Sequence, residues 1–372
     1  MFELKEVIDQ ADVEQFISFP FELYKSDPNW VPPLKSDERV QLDKEKNPAY
    51  REVEARFWIV TENGRCVGRI GAIIHPGYNR KTGKDYGRIT RMEFIDHPEV
   101  CSMLFDAAEE WIASKGMKWV HGPLGFNNLD NQGLLIEGFE YEPSIASVYH
   151  KPYYRKHWEA HGYEKENDWI EFRLTLGEHA VKKASRGASL VCKRYGFEVH
   201  HFSSRNELKP LARDVFRILN ESFSHLPYVS SFDDVMIDFA VEKYFKALDP
   251  RFVKTITKDN RLIAFIVGMP SMTRAMQKAR GRLFPFGIYH VYKALKHPQV
   301  IDLLLTGVHP EYHSSGAAVV LFAALQEEMM KHGIDQMETT GIFETNHNVI
   351  SNWKNYQHIQ HKRRRCFVKQ IA

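Results

Sequence analysis

Alternating runs of apolar and polar residues divide the chain into strands, turns and helices. Residues 57–74 and residues 252–268 each contain two apolar runs separated by a short polar turn, at Asn63-Gly64 in the first and at Asp259-Asn260 in the second. Asn, Asp and Gly accept the backbone conformation that tight hairpin turns require. The pattern therefore predicts two β-hairpins.

A strand, a tight loop and a helix are predicted in the C-terminal part of the chain. Residues 300–308 form a branched apolar run that is typical of a strand buried on both faces. His309-Pro310 ends this run, and apolar positions then recur at helical spacing over residues 317–333. A further strand is predicted over residues 336–342.

Residues 1–50 are expected to contain a short strand, a helix and then an extended arm over residues 19–34. Three prolines within six residues of this arm disfavour a helix there. The aromatic side chains of the arm are expected to pack over the sheet or to rim a cleft.

The chain repeats itself. Thr61 of the first hairpin corresponds to Thr257 of the second, and the strand that follows each hairpin ends in His-Pro-Glu, at residues 97–99 and 309–311. The helices that come next align at an offset that is five residues larger, so the second copy has five extra residues in its small-residue loop. The repeat predicts two copies of one fold, of which only the second has this loop.

The small-residue loop is a candidate anion site. The N–H groups in the first turn of a helix have no partner within the helix and lie at the positive end of its dipole, and small residues let a diphosphate approach this backbone closely. An ordinary strand–turn–helix connection is the alternative. The loop and the helix start consist of His313, Ser314, Ser315, Gly316, Ala317 and Ala318.

This loop resembles the acyl-CoA pyrophosphate loop of the GNAT acyltransferase superfamily, Q/R-x-x-G-x-G/A, with His313, Gly316 and Ala318 at its three defined positions. The whole chain also resembles a group of bacterial tandem (double) GNAT proteins, some of which resemble bacterial-type ceramide synthases. The matching residues are the Pro20 to Leu34 run, Val67-Gly68-Arg69-Ile70, Gly122-Pro123, Glu137-Gly138-Phe139, Pro143, Pro152-Tyr153-Tyr154 and Gly281 to Pro285.

The resemblance implies an α/β fold of two tandem GNAT-like domains, each a mixed, mostly antiparallel twisted sheet flanked by helices. We expect the first domain, without the pyrophosphate loop, over residues 1–178 and the second, with the loop, over residues 179–372. The resemblance further implies a transferase that moves an acyl group from acyl-CoA or acetyl-CoA to an amine. A small-molecule amine or a long-chain, sphingoid-like amine is the expected acceptor.

The resemblance also assigns roles to single residues. The loop, from His313 to Ala318, would bind the diphosphate, and the backbone of Val308 would bind the pantetheine arm. A tyrosine on the last helix often protonates the leaving thiolate in GNAT proteins, which makes Tyr356 a candidate acid.

Amine acylation also needs a base, because an amine with a pKa of about 10 must lose a proton before it attacks. The candidates are Glu338, Glu344 and His309, with Asn346 as an orienting group, although glutamates at a strand edge are more often simply solvated. The resemblance requires no metal.

Residues of the first copy are candidates for the acceptor site. Asn127, Asn128, Glu137 and Tyr153 would line a cleft between the two copies. Alternatively, Asn127 and Asn128 only form a turn and Tyr153 packs in the interior.

Composition and charge indicate which partners and which cellular compartment to expect. A net charge of +2 over 372 residues gives little reason to expect nucleic-acid binding, and four scattered cysteines without metal-ligand spacing favour the cytoplasm. The chain shows no N-terminal signal pattern. Residues 271–297 mix basic and aromatic side chains, which is typical of peripheral contact with a membrane, here the inner membrane, or of a helix and loop that cover a sheet face.

The sequence leaves two other functions open. An aminoacyl-tRNA-dependent transferase of the same fold would use its basic patches to hold RNA, and the His361 to Arg365 run invites that reading. That run also fits an edge strand. A non-catalytic CoA-binding module is the other alternative, because histidine replaces the usual Gln or Arg at His313.

Overall fold

The computed structural model describes residues 1–371, without the side chains of residues 354 and 355. The chain forms two compact units. The first unit contains residues 1–170, residues 273–291 and the chain from Lys362 onward, and the second contains residues 171–272 and 292–361. Ala372, the C-terminal limit of the second domain expected from the sequence, lies outside the described residues.

The helices and strands of the first part of the chain are, in order, β1 (Phe2–Glu6), α1 (Gln10–Leu23), α2 (Lys35–Leu42), β2 (Glu54–Glu62), β3 (Arg65–Ile74), α3 (Pro76–Thr82), β4 (Tyr86–Phe94), α4 (Pro98–Ser114), β5 (Trp119–Gly122), β6 (Leu134–Glu137), α5 (Tyr154–Ala160) and β7 (Glu164–Thr175).

Those of the second part are α6 (Glu178–Tyr195), β8 (Glu198–His201), α7 (Arg205–Leu208), α8 (Ala212–Phe223), α9 (Asp234–Tyr244), β9 (Val253–Lys258), β10 (Arg261–Pro270), α10 (Thr273–Ala279), α11 (Gly287–Lys296), β11 (Val300–Val308), α12 (Ala317–Lys331), β12 (Gln336–Thr339), β13 (Ile342–Phe343), α13 (His347–Ser351) and β14 (Gln357–Gln370).

Both units contain a sheet with the same strand plan. In the first unit the order is β1-β2-β3-β4-β5, followed by residues 367–370 of β14; in the second it is β8-β9-β10-β11-β12, followed by residues 173–175 of β7. One pair in each sheet is parallel, β4 with β5 and β11 with β12, and the other pairs are antiparallel. The predicted fold class, mixed and mostly antiparallel sheets flanked by helices, is confirmed.

Both predicted hairpins are confirmed. Asn63 and Gly64 have φ values of 51° and 75°, and Asp259 and Asn260 have φ values of 50° and 61°, so both turns use the left-handed region. Thr61 pairs with Cys66 and Thr257 pairs with Leu262, which places the two threonines at the same register position. The repeat seen in the sequence is therefore a repeat of structure.

The expectation that the arm begins at residue 19 is wrong, because α1 continues through Pro20 to Leu23. Proline has no N–H to bond to the carbonyl of Phe16 one turn earlier. The Arg69 guanidinium donates to this carbonyl instead, at 2.8 Å. A hydrogen bond from a distant strand thus replaces the one that proline cannot make within the helix.

The core of the first unit lies between its sheet and α4. Leu104, Phe105 and Ile112 of α4 are fully buried, and burial of each contributes about 1.5–3 kcal/mol. A Cβ at Gly87 would lie 2.4 Å from Ile112, so the absence of a side chain lets α4 approach the sheet. No helix within residues 1–371 is both long enough and apolar enough to cross a bilayer.

Strand β11 and helix α12 begin and end close to their predicted limits, but β11 is not buried along its whole length. Ile301 and Leu303 are buried, whereas Leu304, Leu305 and Thr306 are half-buried. The strand predicted over 336–342 forms two short strands, β12 and β13. Both differences arise where β11 and β12 stop pairing.

Candidate active site

Strands β11 and β12 diverge. They pair in parallel from Val300 and Gln336 to Leu303 and Thr339, and there the pairing ends. β11 continues to Val308, while the chain after β12 turns away and β13 pairs with β7. The half-buried residues 304–306 line the resulting gap, and within the described chain the buried hydroxyl of Thr306 makes no hydrogen bond.

The loop after β11 ends in a helix N-terminus that is open to an anion. Gly316 is the N-cap of α12 with φ +84°, and a Cβ at this position would lie 3.3 Å from Val191 of α6. The N–H groups of Gly316, Ala318 and Val319 find no acceptor within residues 1–371. These donors lie at the positive end of the α12 dipole.

Side chains of the loop brace it against β11. Ser315 Oγ donates to the carbonyl of Tyr312 at 2.7 Å and accepts the N–H of Ala317 at 3.3 Å. His313 Nε2 donates to the Val308 carbonyl at 2.9 Å. The predicted cofactor residues, Val308 and 313–318, therefore lie together, and the His313 ring closes the loop onto the strand end.

Two cations of the β9–β10 turn lie beside this loop, and the sequence did not point to them. Lys258 Nζ is 5.6 Å from the centre of the Tyr312 ring. Arg261 Nη2 is 2.8 Å from Nε2 of His309, whose ring is mostly buried at the base of the loop. Glu311 lies 3.9 Å from Arg261 and offsets part of its charge, so Lys258 is the cation of this pair that adds most to the positive field at the start of α12.

A buried polar cluster lies at the other end of the gap. Glu338 of β12 is adjacent in register to Asp302 of β11, and its Oε1 accepts from Arg173 Nε at 2.7 Å and from Arg173 Nη2. His361 Nε2 lies 4.0 Å from Glu338 Oε2, and His361 Nδ1 donates to the Glu171 carbonyl at 3.1 Å. Of this cluster, only Glu338 was predicted as a site residue.

The loop and the polar cluster mark the two ends of one extended segment. Leu303, where the strands part, and Val308, where the loop begins, are five residues apart, which is ~17 Å in a β-strand. An elongated ligand could thus contact the helix N-terminus at one end and Glu338 at the other.

Three other predicted residues have contacts of their own in the second unit. Asn346 caps α13 by accepting the Val349 N–H at 3.3 Å. Tyr356 donates its hydroxyl to Gln326 Oε1 at 3.0 Å, and Gln326 is nine residues into α12, ~14 Å from its start. Glu344 follows β13 and is half-buried. Their catalytic roles stay predictions.

The residues predicted to line an acceptor cleft lie in the first unit. Asn127 Oδ1 accepts the Leu129 N–H at 2.9 Å, so this residue forms a turn, and Glu137 is exposed and lies 3.3 Å from Arg363 Nε. Asn128 Oδ1 is buried and has no hydrogen-bond partner in the described part of the chain. Their role in acceptor binding stays a prediction.

Tyr153, the fourth of these residues, packs at the end of β4. Its hydroxyl donates to the Phe94 carbonyl, and the Tyr154 hydroxyl accepts the Phe94 N–H at 2.9 Å. Burial raises the pKa of Tyr153 well above its usual value. Tyr153 is half-buried and packs against the core of the first unit, and its role in acceptor binding stays a prediction.

One group of side chains in the first unit has metal-ligand chemistry. Ligand atoms of His121, Glu166 and Cys366 lie within 4.8 Å of one another. Arg88 is paired with His121 across β4 and β5, and its charge adds to the effect of burial in lowering the pKa of His121. A neighbouring guanidinium opposes a cation, so this group fits a buried hydrogen-bonded cluster better than a metal centre.

Comparison with known proteins finds two bacterial relatives of the chain. No family model matches it. It is 31% identical over 382 aligned residues to Protein YghO of Escherichia coli (strain K12), covering 99% of this chain and 95% of that protein. It is 25% identical over 354 residues to the bacterial ceramide synthase of Caulobacter vibrioides, covering 90% of this chain and 89% of that protein.

The fold has a solved counterpart. A tandem GNAT protein from the clavulanic acid biosynthesis pathway superposes with a TM-score of 0.58 at 12% identity, covering all of this chain and 98% of that one. The repeated strand plan and this superposition show that the chain has the tandem GNAT fold. Its sequence identity shows that it belongs to the family of Protein YghO.

Proposed function

We propose that the protein is an acyl-CoA-dependent N-acyltransferase whose acyl-CoA site lies in the second unit. The observation that carries this proposal is the open helix N-terminus at Gly316, placed at the end of a strand whose neighbour diverges. It supplies anion-binding donors at one end of an extended backbone segment and an ionisable cluster at the other. The GNAT fold of the solved relative supports the same reaction class.

The loop would hold the diphosphate of the thioester. The N–H groups of Gly316, Ala318 and Val319 would donate to phosphate oxygens, and the charges of Lys258 and Arg261 would strengthen the interaction. The pantetheine arm would lie along residues 304–308, beyond the pairing with β12. The Val308 carbonyl already accepts from Ser222 and His313, so the arm would compete with these side chains there. This arrangement would bring the thioester to the point where the strands part.

Glu338 is our candidate base. Its carboxylate lies beside the point where the strands part, next to Arg173 and His361, and would take the proton from the attacking amine. The nitrogen lone pair forms a bond to the thioester carbon, the carbon–sulfur bond then breaks, and the released thiolate takes up a proton. The products are an amide and free CoA, and no covalent enzyme intermediate is needed. Glu344 is the alternative base.

A long-chain amine is the acceptor that we favour. The support is the relative named bacterial ceramide synthase, since a ceramide forms when a fatty acyl group joins a sphingoid amine. We place the reaction in the cytoplasm, at the surface of the inner membrane.

The test is release of free CoA thiol from palmitoyl-CoA or acetyl-CoA in the presence of a sphingoid base or a short soluble amine. We expect release that depends on the amine, with palmitoyl-CoA and the sphingoid base as the preferred pair. Binding of CoA without release from any pair would overturn catalysis in favour of a binding module. Transfer from aminoacyl-tRNA but not from acyl-CoA would move the function to the other class of transferase.

A further inference from the structure

We propose that a short surface segment of the first unit, residues 284–289, inserts into the surface of an anionic phospholipid bilayer. We call this segment the aromatic tip. Phe284, Phe286 and Tyr289 are 72%, 76% and 62% exposed, and Ile288 is 46% exposed. Large apolar side chains clustered at this exposure mark an interaction site on a folded protein.

The base of the tip is held to the first unit by hydrogen bonds. Thr273 Oγ1 donates to the Pro143 carbonyl and Gln277 Nε2 donates to the Pro28 carbonyl, both at 2.7 Å. The Lys35 N–H donates to the Gly281 carbonyl at 3.1 Å. The exposed aromatic side chains therefore project from a fixed base.

A backbone hydrogen bond also folds the tip back on the residues just before it. The Ile288 N–H donates to the Leu283 carbonyl at 2.6 Å, and a Cβ at Gly287 would lie 2.2 Å from the Arg282 carbonyl oxygen. Only glycine permits this approach, which folds the segment back tightly. The result is a compact loop that leaves its apolar side chains outside.

Cations surround the tip. Arg274, Lys278, Arg280 and Arg282 are exposed on the adjoining helix and loop. Three of them, together with Gln277, His290 and Glu142, line an open cavity of about 540 Å³. Glu142 lies 3.3 Å from Arg274. The cavity is therefore rich in donors for phosphate oxygens and carries an excess of positive charge.

Apolar side chains at the tip and cations around it form the arrangement that binds a membrane interface. Aromatic rings enter the boundary between headgroups and acyl chains, and arginine and lysine stay at the level of the phosphates. RNA would engage the cations but would give no reason for two exposed phenylalanines. The observations thus favour a bilayer, and this inference holds whether or not the proposed reaction is correct.

Vesicle flotation tests it. The full-length protein should bind vesicles of phosphatidylcholine with phosphatidylglycerol, and bind vesicles of phosphatidylcholine alone much more weakly. The double variant Phe284→Ser/Phe286→Ser should bind the anionic vesicles ~10-fold less. Lys278→Glu/Arg282→Glu should lose a similar factor, and this loss should shrink at high salt.

Matched controls exist in the same unit. Ile8 is 81% exposed and lies outside the tip, so Ile8→Ser should leave vesicle binding unchanged. Lys25→Glu/Lys44→Glu makes the same charge change at exposed sites and should cost much less than the change at the tip. Unchanged melting temperatures would show that all four variants fold.

Insertion is measured directly with Phe286→Trp. We expect a blue shift of the added tryptophan emission with anionic vesicles, and quenching by brominated acyl chains. Equal binding to neutral and anionic vesicles, full binding without the two phenylalanines, or no quenching would overturn the proposal. Binding of RNA with no binding of vesicles would also overturn it. None of these measurements uses a thioester. Their outcome is therefore independent of the acyl-transfer assay.

Discussion

The two units share a strand plan but differ at one place, the end of the strand that precedes the central helix. In the first unit, Met92 and Phe94 of β4 are buried, and the backbone of Phe94 is bonded to Tyr153 and Tyr154. In the second unit, residues 304–306 of β11 are half-buried beside a gap. The same scaffold is thus closed in one copy and open in the other.

The start of the next helix differs in the same way. α4 begins at Pro98, directly after His97, whereas α12 begins at Ala317, eight residues after the corresponding His309. The longer loop provides Gly316 and an open helix N-terminus. A longer connection and the absence of the two tyrosine contacts thus distinguish the strand end at which we propose ligand binding.

The largest expected effect comes from the polar cluster at the open strand. If Glu338 is the base, Glu338→Gln should lower the rate of acyl transfer by about 10²- to 10⁴-fold. The binding of acyl-CoA should change little, because the amide keeps the shape of the side chain. The measurement is thiol release together with a thermal-shift titration.

A matched replacement in the first unit provides the control. His121 occupies the third pair of the β4–β5 ladder, as Glu338 does in the β11–β12 ladder. His121→Gln should lower stability without a comparable loss of turnover per folded molecule. A normal rate in Glu338→Gln would remove Glu338 from the mechanism.

Acid should destabilise the closed unit. Burial, aided by the charge of Arg364, lowers the pKa of His150 to about 3, and burial with the charge of Arg88 lowers the pKa of His75 to about 4. In the unfolded chain both titrate near pH 6.5, so below that pH the unfolded state binds protons that the folded state cannot. Stability is therefore full above pH 6.5 and falls as the pH drops toward 4, by about 2 kcal/mol for each histidine at pH 5.

His150→Asn isolates one of the two contributions. The asparagine Oδ1 can accept the Leu135 N–H that His150 Nδ1 accepts in the wild type. We expect the melting temperature of this variant to fall less between pH 6.5 and pH 5, while His297→Asn at an exposed position follows the wild type. Parallel pH profiles for His150→Asn and the wild type would contradict this account.

The two tyrosines at the closed strand end should matter for stability and not for ligand binding. Tyr154→Phe leaves the buried N–H of Phe94 without an acceptor, which costs about 1–3 kcal/mol. Chemical denaturation should show this loss, and the affinity for CoA should be unchanged. A weaker CoA affinity in folded Tyr154→Phe would show that the first unit takes part in CoA binding.

The smallest expected effect is on CoA affinity and comes from a charge change in the hairpin turn. Lys258 lies beside the loop in the second unit, and Glu62 holds the corresponding turn position in the first. Lys258→Glu should weaken CoA binding by about 1 kcal/mol, a few-fold, and high salt should remove most of the difference. Glu62→Lys is the control, and we expect it to leave CoA affinity as it is.

Local signals predicted much of the fold. Asn63-Gly64 and Asp259-Asn260 specified the turns, and the spacing of apolar residues gave β11 and α12 nearly to the residue. The end of α1 was missed because the donor that compensates for Pro20 is Arg69, on a strand far along the chain. Local propensity contains no information on such a partner.

The candidate site was predicted in part for the same reason. Glycine and small residues before a helix mark the loop at Gly316 without further context. The partners of Glu338 come from β7, which pairs with β12, and from β14, which lies on the other side of β7. Arg173 and His361 are far from Glu338 along the chain and could not be inferred from spacing. The roles of Tyr153 and Tyr154 depend likewise on contacts with β4.

We propose above all that the second unit binds the diphosphate of CoA at the start of α12. The direct test is a thermal-shift titration with CoA, acetyl-CoA and palmitoyl-CoA on three proteins: the wild type, Gly316→Glu and Gly333→Glu. Gly316 and Gly333 both have positive φ, at +84° and +68°, and lie at opposite ends of the same helix. The backbone strain of replacing glycine is therefore similar at the two positions, and the Gly316 variant must also shift Val191, which lies 3.3 Å from the added Cβ, whereas a Cβ at Gly333 meets nothing within 4 Å.

A ligand that binds only the folded state stabilises it by about 2.7 kcal/mol at a concentration of 100 times the dissociation constant. We expect a rise in melting temperature with CoA and with each thioester for the wild type and for Gly333→Glu, and no rise for Gly316→Glu. No rise in the wild type, or an equal rise in all three proteins, would contradict it.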